Sequence, residues 1–421
     1  MRHIYTALLT LLIPFMLLRL LWRSRKETAY RQRWKERFGW SSQLPHNPIW
    51  IHAVSVGEVQ ATETLVKQLL EAYPNKPILI TTTTPTGAAR VEKLFAARVT
   101  HRYIPFDLPW LVSPFLNRLQ PAILIIIETE IWPNLLATCR QHNIPTLLAN
   151  ARLSSRSAKG YQRFASLTAE ALNNLSMIAA QSAETARRFT DLGASPARVE
   201  EIGSIKFDTQ FPPLLYQQAN TLRQTFGNNR PIWIAASTHE GEEEQLLAAH
   251  KQVRELIPDA LLILVPRHPE RFEAVAKLIS ETGFNFIRRT EQKSSNSHAE
   301  VFLGDTMGEL PLLFATADLA FIGGSLIQRG GHNLLEPAAL GLPIAFGPHM
   351  FNFEEISQLF LKKQAAYKVE SVDQLTTLVT EWLQKAELRK EIGERGLALI
   401  EENRGALQKL RQIIDRLLTT Y

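Results

Sequence analysis

Cysteine is almost absent: the 421 residues contain one, Cys139. A lone thiol cannot close an internal disulfide, so no such cross-link staples the fold and a reducing compartment is permitted. Cys139 lies in a helical pattern with no histidine at a partner spacing, which favours an inert thiol over a nucleophile. Long basic runs interleaved with aromatics are missing as well. Lysine and arginine total 47 against 41 acidic residues, a formal charge of +6 with a pI near 9.3. That excess is too mild and too scattered for a nucleic-acid groove, and it suits anionic small molecules or lipid headgroups. Paired histidines are missing too. His268, His332 and His349 fall in separate motifs, without an i, i+4 partner or a carboxylate at ligand spacing, so no metal site is expected.

A chain of this length with 45% hydrophobic residues can bury two ordinary cores. It opens on a mostly apolar run, residues 4–18, which counted through Arg19 to Trp22 approaches the ~20 residues of a membrane-spanning helix. A signal peptidase site needs small residues next, whereas Arg19, Leu20, Leu21, Trp22 and Arg23 follow, so residues 1–22 read as an uncleaved anchor. Arg23, Arg25, Lys26, Arg31, Arg33, Lys35 and Arg37 come after the run against Arg2 before it, which places the remainder on the cytoplasmic side. Pro14 and Arg19 leave open a helix that lies on the bilayer instead of crossing it. In either case the basic cluster is expected to face anionic lipid.

From residue 49 the pattern alternates. Strands are expected at 49–54, 77–83 and 122–127, with helices at 58–73 and 87–95 between them. Continuous apolar strands separated by amphipathic helices imply a parallel sheet covered on both faces. The opening then repeats: PIWIHAVSVGE at 48–58 is echoed by PIWIAASTHEGE at 231–242, each followed by a helix, a proline and a strand. The fold class is therefore α/β with two Rossmann-like lobes, 23–210 and 211–421. The boundary falls in 207–218, where Pro212 and Pro213 break the periodicity, and the chain after Ser371 reads as mostly helical.

Open parallel sheets bind ligands at the carboxyl ends of their strands, so the residues after each apolar run are the candidates. In the first lobe these are 55–58, 81–84 and 128–130. Glu58 follows a glycine at a helix start, where the helix dipole favours its ionised form; it suits proton abstraction, and equally an ordinary first-turn acid. Glu128 ends the most apolar strand, where it points at ligand or pairs with a nearby arginine such as Arg152. In the second lobe Pro266, Arg267 and His268 end one strand, with Arg267 shaped to grip a phosphate. Met307, Gly308 and Glu309 form a turn suited to reading a base through main-chain groups. Gly323 and Gly324 end another strand and are expected to lead into a short helix carrying Asn333 and Glu336. The glycine turn would present free N–H groups to a phosphate and the Glu would take ribose hydroxyls, unless the glycines serve only close packing.

The segment RGGHNLLEPAALGLPIAFGPHMFNF, with HAVSVGE, ETEIWPN, LVPRHPERF and GDTMGEL in order along nearly the whole chain, resembles the 3-deoxy-D-manno-octulosonic acid (Kdo) transferases of lipopolysaccharide synthesis. That resemblance implies a GT-B fold, two Rossmann-like lobes facing across a cleft, with the last helix expected to cross back to the first lobe. It implies an inverting transfer of Kdo from CMP-Kdo to the lipid A precursor lipid IVA, without metal or other cofactor. It also assigns roles: Glu58 as general base, Glu128 assisting the transition state, and Lys206, otherwise a plain surface lysine, neutralising donor charge. Pro266, Arg267, Met307, Gly308, Glu309, Asn333, Leu334, Leu335 and Glu336 match the family's CMP contacts. The implied partners are CMP-Kdo, the lipid A precursor and the anionic inner-membrane surface, with no nucleic acid. Two rivals remain at this stage: a sugar-nucleotide epimerase of the same fold, and a non-catalytic membrane-tethered nucleotide-sugar sensor.

Overall fold

The computed structural model describes residues 1–25, 28–41, 44–291 and 298–420; Lys26 and Tyr421 lie outside the described residues. The chain forms two compact units, residues 1–208 with the chain from Arg404 on, and Thr209–Asn403. Residues 404–420, at the end of the chain where the last helix was expected to cross back, group with the first unit.

In the first unit β1 (Ile49–His52), β2 (Ile78–Thr82), β3 (Thr100–Tyr103), β4 (Ile123–Ile127), β5 (Thr146–Ala151), β6 (Met177–Ala180) and β7 (Val199–Glu201) make one sheet. Its order is β3-β2-β1-β4-β5-β6-β7 and every pairing is parallel. Successive side chains alternate between faces, so an unbroken apolar strand serves two cores. Ile49, Ile51, Ile123 and Ile125 enter one cluster, Trp50, Leu124 and Ile126 the other. The expected helix 58–73 is interrupted at Thr62, giving Val56–Ala61 and Glu63–Ala72. There the Thr62 hydroxyl donates to the Val59 carbonyl at 2.8 Å, the local side-chain bond that competes with a regular helix.

The final helix, Ala406–Thr420, closes the first core with Leu407, Leu410, Ile413 and Ile414. Its start is capped from far along the chain: Asp208 accepts the Gly405 N–H at 2.7 Å and the Leu407 N–H at 2.6 Å. One carboxylate thus satisfies two donors that a helix start leaves unpaired.

The second unit repeats the plan with β8 (Ile232–Thr238), β9 (Leu261–Pro266), β10 (Phe286–Arg288), β11 (Val301–Leu303), β12 (Leu319–Ile322), β13 (Ile344–Phe346) and β14 (Ala366–Lys368). The order is β10-β11-β9-β8-β12-β13-β14, again all parallel. Trp233, Leu262, Leu319 and Phe321 meet Trp382 in its core.

Among the described residues one helix, Arg2–Arg23, is long and apolar enough to cross a membrane by length and composition. The basic cluster behind it does not all face outward, contrary to expectation. Arg37 is buried, donates to the Thr83 carbonyl at 2.9 Å and stacks on Tyr103, while Arg33 bonds Glu36 and His101. These side chains fasten the segment to the sheet edge.

Because the final helix contributes Leu410 at zero exposure, truncating that side chain leaves a cavity in the first unit. Leu410→Ala is expected to cost about 2–5 kcal/mol in urea unfolding followed at the first unit's tryptophans. A cost below that range would mean the helix is not part of that core.

Candidate active site

In the first sheet the strand order reverses between β1 and β4, and the loops leaving the ends of these two strands border the crevice of such a switch point. The loop after β1 carries Ser55 to Glu58, and the loop after β4 carries Glu128 to Trp132. Ser55 caps the short helix, its hydroxyl facing the Glu58 N–H at 3.5 Å and donating to one Glu58 carboxylate oxygen at 3.1 Å. The other oxygen accepts the Val54 N–H at 2.6 Å. This is a capping box displaced by one residue, and it fixes the carboxylate against its own loop.

The helix dipole, expected to favour the ionised form of Glu58, is outweighed by burial. Burial pushes its pKa up to about 7; the Val54 N–H pulls back, and Glu128 and Glu130 push further. Loss of hydration for the charged form outweighs one helix end. Glu130, pushed up chiefly by burial, accepts the Trp132 indole N–H at 2.7 Å.

Glu128 stands at φ +61, the left-handed region that side chains other than glycine seldom adopt. Such a residue costs roughly 1–3 kcal/mol and survives only where its surroundings hold it. Here its N–H donates to Ala149 at 3.0 Å and its carboxylate pairs with Lys206 at 3.1 Å. Lys206 is placed by a residue the sequence did not single out: buried Asn150, at the end of β5, accepts the Ile205 N–H at 3.2 Å through its side-chain oxygen. An Asn in an otherwise apolar strand end was the available signal. Thr81 and Thr84, also candidates, are structural, accepting from the Trp50 indole and capping the next helix respectively.

In the second sheet the reversal lies between β8 and β12. The glycine turn after β12 differs from its expected use. The N–H groups of Gly324, Ser325 and Leu326 donate to the Glu242 carboxylate at 2.7, 3.1 and 3.0 Å. A buried side chain of the protein thus fills the cradle expected for a phosphate. Nor does a helix follow directly: it spans only Leu335–Ala339, and Asn333 precedes it, its side-chain oxygen accepting the Leu335 N–H at 3.0 Å. The glycines serve close approach, since a Cβ on Gly323 would fall 2.6 Å from the Ser237 carbonyl oxygen.

What the unit does gather is Arg267, Glu336 and a histidine group. Arg267 follows Pro266 at the end of β9, its N–H donating to Thr238 at 2.9 Å. Glu336 accepts the Asn333 side-chain amide at 3.0 Å; burial raises its pKa, with Asn333 and Arg267 opposing. Leu334 and Leu335 are buried and anchor this segment to the core. His239 and His332 face each other Nε2 to Nε2 at 2.8 Å, so one donates and the other accepts. Burial and neighbouring cations hold them near 4 and 3, which leaves both neutral at pH 7. His239 was missed, though it sits in the echoed PIWIAASTHEGE segment. The Met307-Gly308-Glu309 turn has Gly308 at φ +92 and half-exposed Met307. Arg289 grips both Glu309 oxygens at 3.0 and 2.7 Å and keeps that carboxyl below its usual range. With its carboxylate so engaged, the turn offers main-chain groups. Among the described residues no three His, Cys, Asp or Glu side chains gather as metal ligands, and Cys139 is buried with its thiol pushed up to about 12.

Two seven-stranded parallel sheets with polar loops at each switch point are the architecture of a GT-B glycosyltransferase. Solved structures share it: MurG of Acinetobacter baumannii at TM-score 0.55 and 12% identity, over 88% of this chain and all of that one. The UDP-GlcNAc 2-epimerase of Neisseria meningitidis aligns at TM-score 0.57 and 12% identity over 88% of this chain and 100% of that one, which is a likeness of fold alone. Residues 32–209 match the family described as 3-deoxy-D-manno-octulosonic-acid transferase (kdotransferase). The 3-deoxy-D-manno-octulosonic acid transferase of Haemophilus influenzae is 43% identical over 98% of both chains. That of Bordetella pertussis is 33% identical over 98% of this chain and 99% of its own. The chain belongs to the 3-deoxy-D-manno-octulosonic acid transferase family, and it is an enzyme, a glycosyltransferase.

A raised pKa in the folded state ties Glu58 to stability. From about 4.5 up to about 7 the native carboxyl holds a proton that the unfolded chain releases, so stability from this group is present at acid pH and falls as pH rises through that window. Glu58→Gln keeps an acceptor for the Val54 N–H and has no charge to desolvate. Its melting temperature relative to the parent should therefore be higher at pH 8 than at pH 5; an equal difference at both would show that Glu58 titrates normally.

Proposed function

We propose that the protein transfers Kdo with inversion from CMP-Kdo to the lipid A precursor lipid IVA, a phosphorylated, acylated glucosamine disaccharide, in lipopolysaccharide core biosynthesis. The observation that carries the reading is Glu58, a carboxylate with its pKa near 7 on a switch-point loop beside Glu128 and Glu130. A base in that range is half available at neutral pH and strong enough to accept a proton as a hydroxyl attacks. The named relatives supply the sugar.

In this reading the acceptor hydroxyl oxygen bonds the anomeric carbon of Kdo while Glu58 takes that hydroxyl's proton. The bond from that carbon to the CMP phosphate oxygen breaks in the same displacement, and the electron pair leaves with CMP. Glu128, held by Lys206, steadies positive charge developing on the sugar, and Lys206 offers its own charge to the donor's anionic groups. Pro266 and Arg267, the turn Met307-Gly308-Glu309, and Asn333, Leu334, Leu335 and Glu336 hold CMP. Arg267 takes the phosphate and Glu336 the ribose hydroxyls. No metal or other cofactor is assigned, since cationic side chains serve the phosphate. The apolar N-terminal helix supports work at the cytoplasmic face of the inner membrane, on anionic lipid.

Glu58→Gln should lower turnover about 100- to 10,000-fold, the usual share of a general base. The parent's kcat/KM should rise with pH through about 7, and the variant should lose that limb. Turnover of radiolabelled CMP-Kdo with lipid acceptor measures both. Retention of more than about a tenth of parental turnover would move the base elsewhere, Glu128 first; a parent that binds CMP yet consumes no donor would be a sensor.

Arg267→Ala should weaken CMP binding by about 1.5–3 kcal/mol, the loss of a charge-assisted hydrogen bond. Calorimetry with CMP tests this, and an unchanged affinity removes Arg267 from the site.

A further inference from the structure

The helix Arg2–Arg23 has 22 residues, about 33 Å at 1.5 Å each, which matches the ~30 Å of a hydrocarbon core. Its first turns are nevertheless fastened to the first unit. The Tyr5 hydroxyl donates to Asp107 at 2.9 Å, the Thr6 hydroxyl donates to the Asn134 side-chain oxygen at 3.0 Å, and Arg2 pairs with Glu170 at 3.6 Å. Asp107 is 4% exposed and also accepts the N–H groups of Asn134 and Leu135, capping the helix Pro133–Gln141. The far end is fastened too. Ser24 is buried, Arg23 lies over the Tyr30 ring, and beyond it Arg33 and Glu36 bond to His101 and Tyr103 of β3.

Between these ends the helix is two-faced. Half-buried positions recur at Tyr5, Leu9, Ile13, Met16 and Leu20, a helical period, so one face follows the unit along its length. The opposite face stays apolar and outward: Ile4, Leu8, Leu11, Phe15, Leu18 and Trp22 are exposed, Leu11 by 76% and Phe15 by 66%. Exposed aromatics flank the docked end, Trp110 three residues past Asp107 and Phe164 just before the helix that bears Glu170. Exposed Arg19, Arg23 and Arg25 flank the other.

We propose that this helix does not cross the bilayer but lies in its plane, sunk to its outward face in one leaflet of anionic phospholipid. Crossing would strip Asp107 and Asn134 of partners and carry Arg2 through hydrocarbon, whereas lying flat keeps every contact and buries the exposed stripe. Arginines and aromatics then sit at headgroup depth, where both are favoured. The placement also fixes the site's height. The loop from Glu128 leads within six residues to Asn134, the residue that Thr6 holds, so the carboxylates stand at a set distance above the lipid surface. The inference rests on membrane contact and is independent of the transfer chemistry.

Labelling of single cysteines with a membrane-impermeant maleimide tests it in the full chain, since native Cys139 is fully buried. His3→Cys probes the helix start and Glu71→Cys marks the first unit; both positions are exposed. In-plane binding predicts that both react in the same preparation, either inverted inner-membrane vesicles or spheroplasts. Reaction of His3→Cys only where Glu71→Cys is shielded, or in neither preparation, overturns the proposal. A second measurement uses purified protein and phosphatidylglycerol-containing vesicles: Phe15→Glu should reduce flotation affinity about tenfold or more, as expected for losing one large buried apolar side chain. Unchanged affinity with normal circular dichroism would show that the outward face does not meet lipid.

Discussion

A parallel sheet buried on both faces has to satisfy the main-chain groups where its strands end, and in this protein carboxylates do much of that work. The repeat makes the comparison direct, because Glu58 and Glu242 close the two echoed segments PIWIHAVSVGE and PIWIAASTHEGE. Glu242 is wholly buried and accepts three main-chain N–H groups of the loop after β12, locking two strand ends together. Glu58 accepts one main-chain N–H, from Val54, and otherwise meets a serine hydroxyl. The same position is therefore saturated in one unit and undersatisfied in the other. Burial raises the proton affinity of both carboxylates, and at Glu58, with a single main-chain donor, it carries the pKa to about 7.

Around Glu58 the structure accepts local strain and repulsion. Glu128 sits in the left-handed region, its charge raises the proton affinity of Glu58 and Glu130, and Glu130 adds to the effect on Glu58. Lys206 offsets part of this charge, and Asn150 holds the turn that delivers Lys206. Such an arrangement persists because the elements beneath it are rigid. β1 and β4 are buried along their length, and the final helix seals the core under them.

The second unit spends its polar groups differently. Asp305 and Glu309 are engaged by Arg288 and Arg289, the histidine pair is neutral, and the charge of Arg267 opposes the effect of burial on Glu336.

The sequence by itself determined the elements and much of the class. Apolar runs at 49–52, 123–127 and 319–322 became strands, the echoed segments became the first strands of two sheets, and the apolar start became a helix, because periodicity and composition are local properties. Glu58, Glu128 and Arg267 were legible as polar residues after apolar strands. The tertiary structure alone decided the rest. It set the strand order that makes two switch points, and it gave Glu128 to Lys206 and the glycine cradle to Glu242. It also raised the Glu58 pKa where the local dipole argued the reverse, and it tied Tyr5 to Asp107 and Asp208 to Gly405. Those pairings join residues up to 197 positions apart, and burial is a sum over all neighbours in space. Neither leaves a periodic trace in the chain.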